Sequence, residues 1–311
     1  MDTQSLKAFL AVAGQQSFSA AAENLHLTQS AVSKRIQLLE SQLNVILFDR
    51  HNRTISLTEA GKALLPRAQE ILDLVTDTSL KMENLSGDIS GSLSLATSHH
   101  IGLHRLPPIL REFVQRYPSV DLNLEFMGSE RAYQAIRLRQ VDLALTTLSE
   151  QQDPDIFTVP LWHDRMVCVC GKQHRLARKK TISFKDLAKE PAILPEPDTI
   201  TYQLVENAFT QHGLSLNAPM PTNYLETIKM MVSVGIGWSL LPDSMVDDSL
   251  TTLAWPDKLP VRHLGLIHLQ HRTLSNAATA MMDLLPSKPT GSTTALTASS
   301  VDLYGNTVLK Q

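Results

Sequence analysis

The 311-residue sequence predicts an N-terminal helix-turn-helix with a β wing, then one long helix, then a series of alternating strands and helices. Three patterns support this expectation. Apolar residues recur at helical spacing behind a polar face near position 30, and a second apolar stripe runs through residues 64–85. Strand-like and helix-like segments alternate from position 92 onward, which is typical of a mostly parallel sheet. The length corresponds to roughly two domains.

The first pattern predicts two short helices joined by a tight turn. Ser17 can cap the first helix and Thr28 the second, because their hydroxyls can accept free backbone N–H groups. Three apolar residues recur behind Thr28 at helical spacing, namely Val32, Ile36 and Leu39. The opposite face carries short hydrogen-bonding side chains and one cation, Gln29, Ser30, Ser33, Lys34 and Gln37. Such an edge suits a DNA major groove, although these helices alone also fit an ordinary hairpin with a solvated face.

The next segment favours DNA binding. Residues 47–50 and 54–57 predict two short strands, with Arg50 and Arg53 near the tip of the resulting wing. Cations there can contact phosphates or enter a narrow minor groove. Residues 1–67 contain seven cations and five anions, so each copy makes modest phosphate contact and useful affinity needs at least two copies on one site. The predicted DNA-binding residues are Ser17, Ser19, Thr28, Gln29, Ser30, Ser33, Lys34, Arg35, Gln37, Arg50, Arg53 and Thr54.

The long helix is predicted from Thr58, its cap, to about Gly87. Its apolar stripe follows the spacing of a two-stranded coiled-coil seam. A helix packed on its own domain is the alternative, but a helix of this length buries little of the stripe unless it pairs with another. The predicted dimerisation residues are Leu64, Ala68, Ile71, Val75, Met82 and Leu85, with Thr78 between them.

Several of these segments, taken together, resemble the LysR-type transcriptional regulators. They are Ala20–Ala22, Leu25–Ile36, Leu39–Glu40, Leu47–Arg50 and Leu57–Gly61. Ser30 departs from the proline that is common at that place in the family, and Lys34 stands where arginine is frequent. Both changes affect sequence preference more than the assignment.

The resemblance implies a sequence-specific regulator that binds double-stranded promoter DNA as a homodimer or homotetramer, with RNA polymerase as a further expected partner. It also implies that the alternating region is a two-lobed α/β domain, similar to periplasmic binding proteins, which binds a small-molecule effector. The predicted fold is therefore a winged helix-turn-helix joined by a long linker helix to a periplasmic-binding-protein-like domain. A solute-binding module without DNA function is the alternative.

The predicted domains follow from these patterns. Residues 1–60 form the winged helix-turn-helix, residues 61–90 the linker helix and hinge, and residues 91–286 the effector domain. In that domain, residues 91–162 and 268–286 form the first lobe and residues 163–267 the second. Residues 287–311 are rich in Ser, Thr, Gly and Ala and predict a disordered tail.

Within the effector domain, the predicted strands are 92–96, 120–126, 141–145, 166–169, 192–194, 236–241 and 261–269. The predicted helices are 103–117, 131–138, 202–212, 226–234 and 274–285.

Candidate effector-binding residues lie where strands end and helices begin, because open α/β sheets bind ligands at those places. They are Thr97, Ser98, His99, His100, Ser129, Glu130, Thr146, Thr147, Thr199, Thr201, Tyr224 and Glu226. For residues 97–100 simple helix capping is the alternative. Helix N-termini favour anions, so the effector is expected to be small and polar, with a carboxylate as one candidate group. Glu130 and Glu226 argue against a purely anionic ligand.

Other chemistries are not expected. His100 and His104 are one helical turn apart, but no cysteine or carboxylate follows at a known metal-site spacing, so the sequence predicts no metal site and no cofactor. Cys168 and Cys170 alternate onto one strand face as small buried hydrophobes; a thiol-based redox sensor is the alternative. Known catalytic motifs are absent, so an enzyme is not expected. The sequence shows neither a signal peptide nor a run of about 18 apolar residues, so we expect a cytoplasmic protein.

Overall fold

The computed structural model describes residues 1–51, 54–149, 151, 153–257 and 261–287. They form two compact units, one of residues 1–88 with 272–275, and one of residues 89–271 with 276–287. In the described chain, no helix is both long enough and apolar enough to cross a membrane.

The first unit is a winged helix-turn-helix followed by a long helix. Its elements are α1 (Thr3–Gln15), α2 (Phe18–Asn24), α3 (Gln29–Leu43), the antiparallel wing strands β1 (Phe48–His51) and β2 (Thr54–Leu57), and α4 (Glu59–Asn84). One apolar cluster joins all three short helices to the wing and to the start of α4. Phe48 of the wing packs on the rings of Phe9 and Phe18, with ring centroids 5.4 and 5.9 Å apart.

The predicted caps are confirmed. Ser17, Thr28 and Thr58 each accept a hydrogen bond from a backbone N–H of the helix that follows. Thr58 also donates its hydroxyl to the carbonyl of Ile46 at 2.7 Å, which ties the start of α4 to the wing. Gly61 lies so close to this wing that a Cβ there would stand 2.3 Å from the carbonyl oxygen of Leu47. A larger residue at position 61 would push α4 off the wing.

The apolar stripe of α4 divides into two parts. Ala68 is fully buried in the core of its own unit, and Leu64 and Ile71 pack against that core. These three residues thus pack on their own unit, as the alternative has it, but Leu64 and Ile71 stay only partly buried and their part in pairing two chains remains a prediction. Further along, Leu74, Val75, Met82 and Leu85 are exposed. Leu74, 69% exposed, was not among the predicted dimerisation residues.

The second unit contains a mixed sheet. Its strands are β3 (Gly91–Thr97), β4 (Val120–Phe126), β5 (Leu143–Thr147), β6 (Ile156–Gly171), β7 (Trp238–Pro242), β8 (Leu250–Leu253) and β9 (Val261–Leu269). The strand order is β4-β3-β5-β9-β6-β7, with β8 also paired to β6. β3 runs parallel to β4 and β5, whereas β9 runs antiparallel to β5 and β6.

The helices of this unit are α5 (His99–His104), α6 (Pro107–Arg116), α7 (Ser129–Arg137), α8 (Phe184–Leu187), α9 (Ile200–Gln211), α10 (Leu225–Ser233) and α11 (Asn276–Asp283). Two apolar clusters lie on the strands of the second lobe, where Trp238 is fully buried, and another lies under α7. The alternation of strands and helices confirms the predicted two-lobed α/β class. The expectation of a mostly parallel sheet was wrong, because the long strands β6 and β9 pair with their neighbours in antiparallel fashion.

Strands β6 and β9 run through both lobes. They pair from Ile156 opposite Leu269 to Arg165 opposite Val261, with a register shift between Pro160 and Trp162. Both strands therefore pass without interruption through the predicted lobe boundaries at 162/163 and 267/268. Those boundaries remain a prediction.

Three local expectations were wrong. The single helix predicted over 103–117 is two helices, because Pro107 and Pro108 lack N–H donors and begin α6 anew. Residues 192–194 form only one bridge to the sheet, from Ala192 to Trp238, because prolines flank the segment. The first part of β6, with Pro160 inside it, and the short strand β8 were not predicted.

Candidate DNA-reading surface and effector cleft

Helix α3 presents the expected polar face. Its apolar residues Val32, Ile36 and Leu39 are fully buried, which fixes the rotation of the helix. Gln29, Ser30, Lys34 and Gln37 are exposed and Ser33 is half-buried on the opposite side. At about 3.6 residues per turn, the set from Ser30 to Gln37 spans an arc of about 100°. That arc is narrow enough for one face to enter a groove.

The predicted DNA-binding residues next to this polar face differ in whether their side chains are free to contact DNA. Ser19 is exposed at the start of α2, while the hydroxyls of Ser17 and Thr28 are used as helix caps. Arg35 is half-buried and donates to the side chain of Gln4 in α1 at 3.3 Å. Arg35 therefore braces α3 against α1 and lies about 100° around the helix from Lys34, away from the polar face.

The wing forms where predicted, with Arg50 opposite Ile55 and His51 opposite Thr54. The prediction for Arg53 lies outside the described residues, as does the prediction of a tail from residue 288 onward. For Arg50 and Thr54 the structure places the backbone in the wing.

In the second unit, the carboxyl ends of the parallel strands β3, β4 and β5 lie side by side. Thr97 ends β3, and Thr146 and Thr147 end β5. All three threonines are buried, and the hydroxyl of Thr146 has no hydrogen-bond partner among the described residues. Ser98 caps α5 by accepting from Ile101, so the capping alternative holds for this residue. Ser129 begins α7 and accepts from the N–H of Thr147 at 3.3 Å.

Two second-lobe helices begin opposite these strand ends. Thr199 caps α9 and also donates to the carbonyl of Glu196 at 2.7 Å, whereas Thr201 is buried in the first turn of α9. Tyr224 precedes α10, and Glu226 lies in its first turn.

Three contacts join the predicted site residues across the cleft. Glu130 Oε1 accepts from the backbone N–H of Ile200 at 3.3 Å, which links α7 to α9. His104 Nε2 lies 2.9 Å from Glu226 Oε1, and the ring of His99 packs edge-on against Tyr224 with centroids 4.5 Å apart. The last two contacts link α5 to α10. The structure thus brings the candidates His99 and Tyr224 together, whereas Glu130 and Glu226 meet Ile200 and His104, which were not among the predicted effector-binding residues.

An open pocket of about 580 Å³ lies beside the first of these contacts. It is lined from the first lobe by α7 and from the second by the start of α9. Its charged lining residues are Glu130, Asp153, Asp198 and Arg137. Arg137 pairs with Asp153, with Nε to Oδ2 at 2.9 Å. The pocket therefore has an acidic excess, which favours a ligand with hydrogen-bond donors or positive charge.

The two cleft carboxylates are shifted in opposite directions. Burial raises the pKa of Glu130, although its own backbone N–H and that of Ile200 act against the shift. For Glu226, burial also acts to raise the pKa, but its backbone N–H and the hydrogen bond from His104 outweigh burial, so the pKa is lowered. Glu130 is therefore the carboxylate that more readily takes up a proton.

A buried polar network behind the cleft was missed from the sequence. Asp164 on β6 is buried and contacts Arg262 Nη2 at 2.7 Å, Arg105 Nη2 at 3.4 Å and His100 Nε2 at 3.4 Å. Burial alone would raise the pKa of Asp164, but the contact with His100 and the charge of Arg262 hold it well below its usual range. A single aspartate within a predicted strand does not indicate which residues, far away in the sequence, will contact it in the folded protein.

The cysteines do not form a reactive site. Cys168 and Cys170 are fully buried in one apolar cluster on β6, as the alternation predicted, and neither is in a disulfide. Burial raises the pKa of Cys170 to about 11 and that of Cys168 further still. Since the thiolate is the reactive form, these thiols are poorly suited to redox sensing.

Comparisons with protein families agree with this architecture. Residues 3–62 match the family described as bacterial regulatory helix-turn-helix protein, lysR family. Residues 86–288, well over half of the chain, match the family described as LysR substrate binding domain.

Individual relatives are described as transcriptional regulators. An HTH-type transcriptional regulator from the ibpB-leuC intergenic region of Azotobacter vinelandii is 66% identical over 108 residues, covering 35% of this chain and 75% of that protein. A protein of Cyanophora paradoxa, described as a probable RuBisCO transcriptional regulator, is 31% identical over 79% of this chain and 78% of its own length.

Solved structures show the same fold. A full-length OxyR variant from Pseudomonas aeruginosa has a TM-score of 0.62 at 22% identity, covering 91% of this chain and 94% of that one. Full-length CbnR in complex with its target DNA has a TM-score of 0.55 at 20% identity, covering 92% of this chain and 99% of that one. With a DNA-binding and a substrate-binding region both matched, the chain belongs to the LysR family of transcriptional regulators.

Proposed function

We propose that the chain regulates transcription by reading promoter DNA with α3 and by changing its DNA binding when a small polar effector enters the cleft. The observation that supports DNA reading best is the exposed arc of Ser30, Ser33, Lys34 and Gln37, held outward by fully buried Val32, Ile36 and Leu39. Gln29 at the start of α3 completes the reading edge. Side chains of these types can pair with base edges and phosphates in the major groove.

We further propose that two copies pair through the exposed part of α4. Val75, Met82 and Leu85 belong to the predicted seam, and Leu74 extends it. Thr78 lies between them on the same face. Exposed apolar residues in such a row lose their contact with water when a second helix covers them. Pairing would place two α3 helices on two half-sites, which compensates for the modest charge of one copy.

The proposed effector lies between the strand ends of the first lobe and the starts of α9 and α10. Thr97, Thr146 and Thr201 offer buried hydroxyls, and the pocket beside Glu130 offers an acidic wall. Glu130 already occupies the N–H of Ile200, where a ligand carboxylate would bind. We therefore propose an effector that presents hydrogen-bond donors or an amine to Glu130 and Asp198. A carboxylate of the effector that bound at the start of α9 would have to displace Glu130.

Binding of the full-length chain to fragments of its own upstream region tests DNA reading. Fluorescence anisotropy should show specific binding above that of a scrambled fragment at the same salt concentration, because base contacts add to phosphate contacts. Equal affinity for both fragments at every salt concentration would overturn the proposal. Thermal-shift screening of the same protein against amines, amino acids and carboxylates tests the effector class, since a ligand that binds the folded state raises the melting temperature.

A further inference from the structure

Three potential metal ligands meet at the cleft between α5 and α10. One ligand atom from each of His100, His104 and Glu226 lies within 4.8 Å of the other two. The two histidines are one helical turn apart on α5, so both side chains lie on the same side of the helix. Glu226 comes from the first turn of α10, 122 residues beyond His104. Short-range sequence spacing could not indicate this group.

His100 is the unusual member of the group. Its side chain is only 5% exposed, and its Nδ1 has no hydrogen-bond partner among the described residues. A buried imidazole with an unpaired nitrogen is costly, and a bound ion is one of the features that explain such groups. The other two members are more accessible, with side-chain exposures of 47% for His104 and 39% for Glu226. An ion from solvent can therefore reach the group.

Asp164 supports His100 from behind. Its Oδ2 lies 3.4 Å from His100 Nε2, and Arg262 and Arg105 hold the same carboxylate. Histidines that bind metals are usually oriented by a carboxylate or carbonyl on the second ring nitrogen. Because Asp164 lies near Nε2, the second ring nitrogen, Nδ1, is the one that is available to bind an ion; it has no hydrogen-bond partner among the described residues.

The donor set also suits a particular class of ion. Two imidazoles and one carboxylate are typical ligands of Zn²⁺ and of other divalent transition metals, and three protein ligands leave a position for water or a further ligand. Ligand atoms around a tetrahedral zinc stand about 3.4 Å apart, for metal–ligand distances of about 2.1 Å. His104 Nε2 and Glu226 Oε1, at 2.9 Å, are already close enough. The ligand atom of His100 lies within 4.8 Å of both, so binding draws His100 closer to the pair and moves His104 and Glu226 slightly apart.

We propose that His100, His104 and Glu226 form a binding site for a divalent transition metal ion that bridges α5 of the first lobe to α10 of the second. The ion replaces the direct hydrogen bond between His104 and Glu226 and occupies the free nitrogen of His100. The ion links α5 to α10, and the pocket beside Glu130 shares no residue with this group. The proposal goes beyond the regulatory function and does not depend on it, since metal binding is measured directly.

The test uses the full-length chain, stripped of metal with a chelator that is then removed. Zn²⁺ is titrated against a chromophoric chelator of known affinity. We expect one competing site per chain, weakened at least tenfold in His104→Ala and in Glu226→Gln. His271→Ala is the matched control, because it removes an exposed histidine outside the group and should leave the affinity unchanged. The chain has 11 histidines, so this control is essential.

Two further measurements make the outcome decisive. His100→Ala is buried and can fail for lack of folding, so the two accessible variants carry the test, with their circular dichroism compared with that of the wild type. Co²⁺ in place of Zn²⁺ should give visible absorption bands of a nitrogen and oxygen site without thiolate charge-transfer bands. Equal Zn²⁺ affinity in the wild type, His104→Ala and Glu226→Gln would overturn the proposal. Thiolate bands, which would place the ion on Cys168 or Cys170, would overturn it too.

Discussion

The carboxylate oxygen Oε1 of Glu130 accepts a hydrogen bond from the backbone N–H of Ile200, with 3.3 Å between oxygen and nitrogen. The two residues are 70 positions apart and belong to helices α7 and α9, on opposite sides of the cleft. A negative group at a helix N-terminus is favourable, because free N–H groups concentrate positive charge there. The side chain of Glu130 thus occupies, at the start of α9, the place that the carboxylate of an effector would take.

Replacing Glu130 with Gln should change which ions the cleft accepts. The glutamine keeps an acceptor oxygen for Ile200 but carries no charge, so a free anion can compete for the start of α9. We expect sulfate to raise the melting temperature of Glu130→Gln more than that of the wild type, measured by differential scanning fluorimetry.

Glu206→Gln provides the control for this test, because it removes an exposed carboxylate from α9 itself, about two turns beyond Ile200. If sulfate stabilises Glu130→Gln and Glu206→Gln equally, Glu130 does not exclude anions from the start of α9.

Replacing Ser33 or Gln29 with Ala should relax the base preference of α3. If each side chain makes a direct base contact, its loss costs roughly 1–3 kcal/mol on the preferred site and much less on other sites. Competition anisotropy with single-base operator variants measures this difference. Ser41→Ala, on the exposed far end of α3, should behave like the wild type. A uniform loss of affinity across all operator variants would mean that Ser33 and Gln29 do not read bases.

Introducing charge on the exposed part of α4 should separate the two proposed copies. Leu74→Asp or Met82→Asp would bury an unpaired carboxylate between paired helices, which is strongly unfavourable. Sedimentation analysis should show a shift towards monomer, and affinity for a two-half-site operator should fall. Thr76→Asp carries the same charge on another face of α4 and should remain paired. Unchanged sedimentation of Leu74→Asp would rule out this stripe as the interface.

Replacing Asp164 with Asn should destabilise the protein in a pH-dependent way. The change leaves Arg262 without its buried counter-charge, which costs about 3–5 kcal/mol at neutral pH. The pKa of Asp164 is lowered in the folded state, so the stabilisation is complete above the unfolded pKa of about 3.9 and is lost as pH falls below it. Urea unfolding of both proteins at pH 7 and in acid should show a wide gap that narrows below about pH 4. A gap that stays constant would contradict the network.

Local patterns predicted the winged helix-turn-helix well. The cap at Thr28 and the buried row of Val32, Ile36 and Leu39 depend on residues within one helix, so their spacing is sufficient. The packing of the apolar stripe of α4 was harder to predict. Alternating steps of four and three residues show that one helix face is apolar, but they do not show which part of the molecule packs against that face. Ala68 is covered by its own unit, while Met82 remains exposed.

The cleft could be predicted only in outline. Strand ends and helix starts identified Glu130, Thr201 and Glu226 as candidates, but the pairing of Glu130 with Ile200 and of His104 with Glu226 depends on how two lobes face each other. In the buried network, Asp164 contacts Arg105, which is 59 positions away in sequence, and Arg262, which is 98 positions away. Separations of that size leave no trace in local spacing.

The continuous pairing of β6 with β9 determines how the two lobes can move. A hydrogen-bonded ribbon of two strands resists stretching along its length but yields to torsion, and the register shift between Pro160 and Trp162 adds local twist. We therefore expect the lobes to rotate about these two paired strands rather than to slide apart. A ligand bound near Glu130 and an ion bound near Glu226 would each limit this rotation, at two different contacts between the lobes.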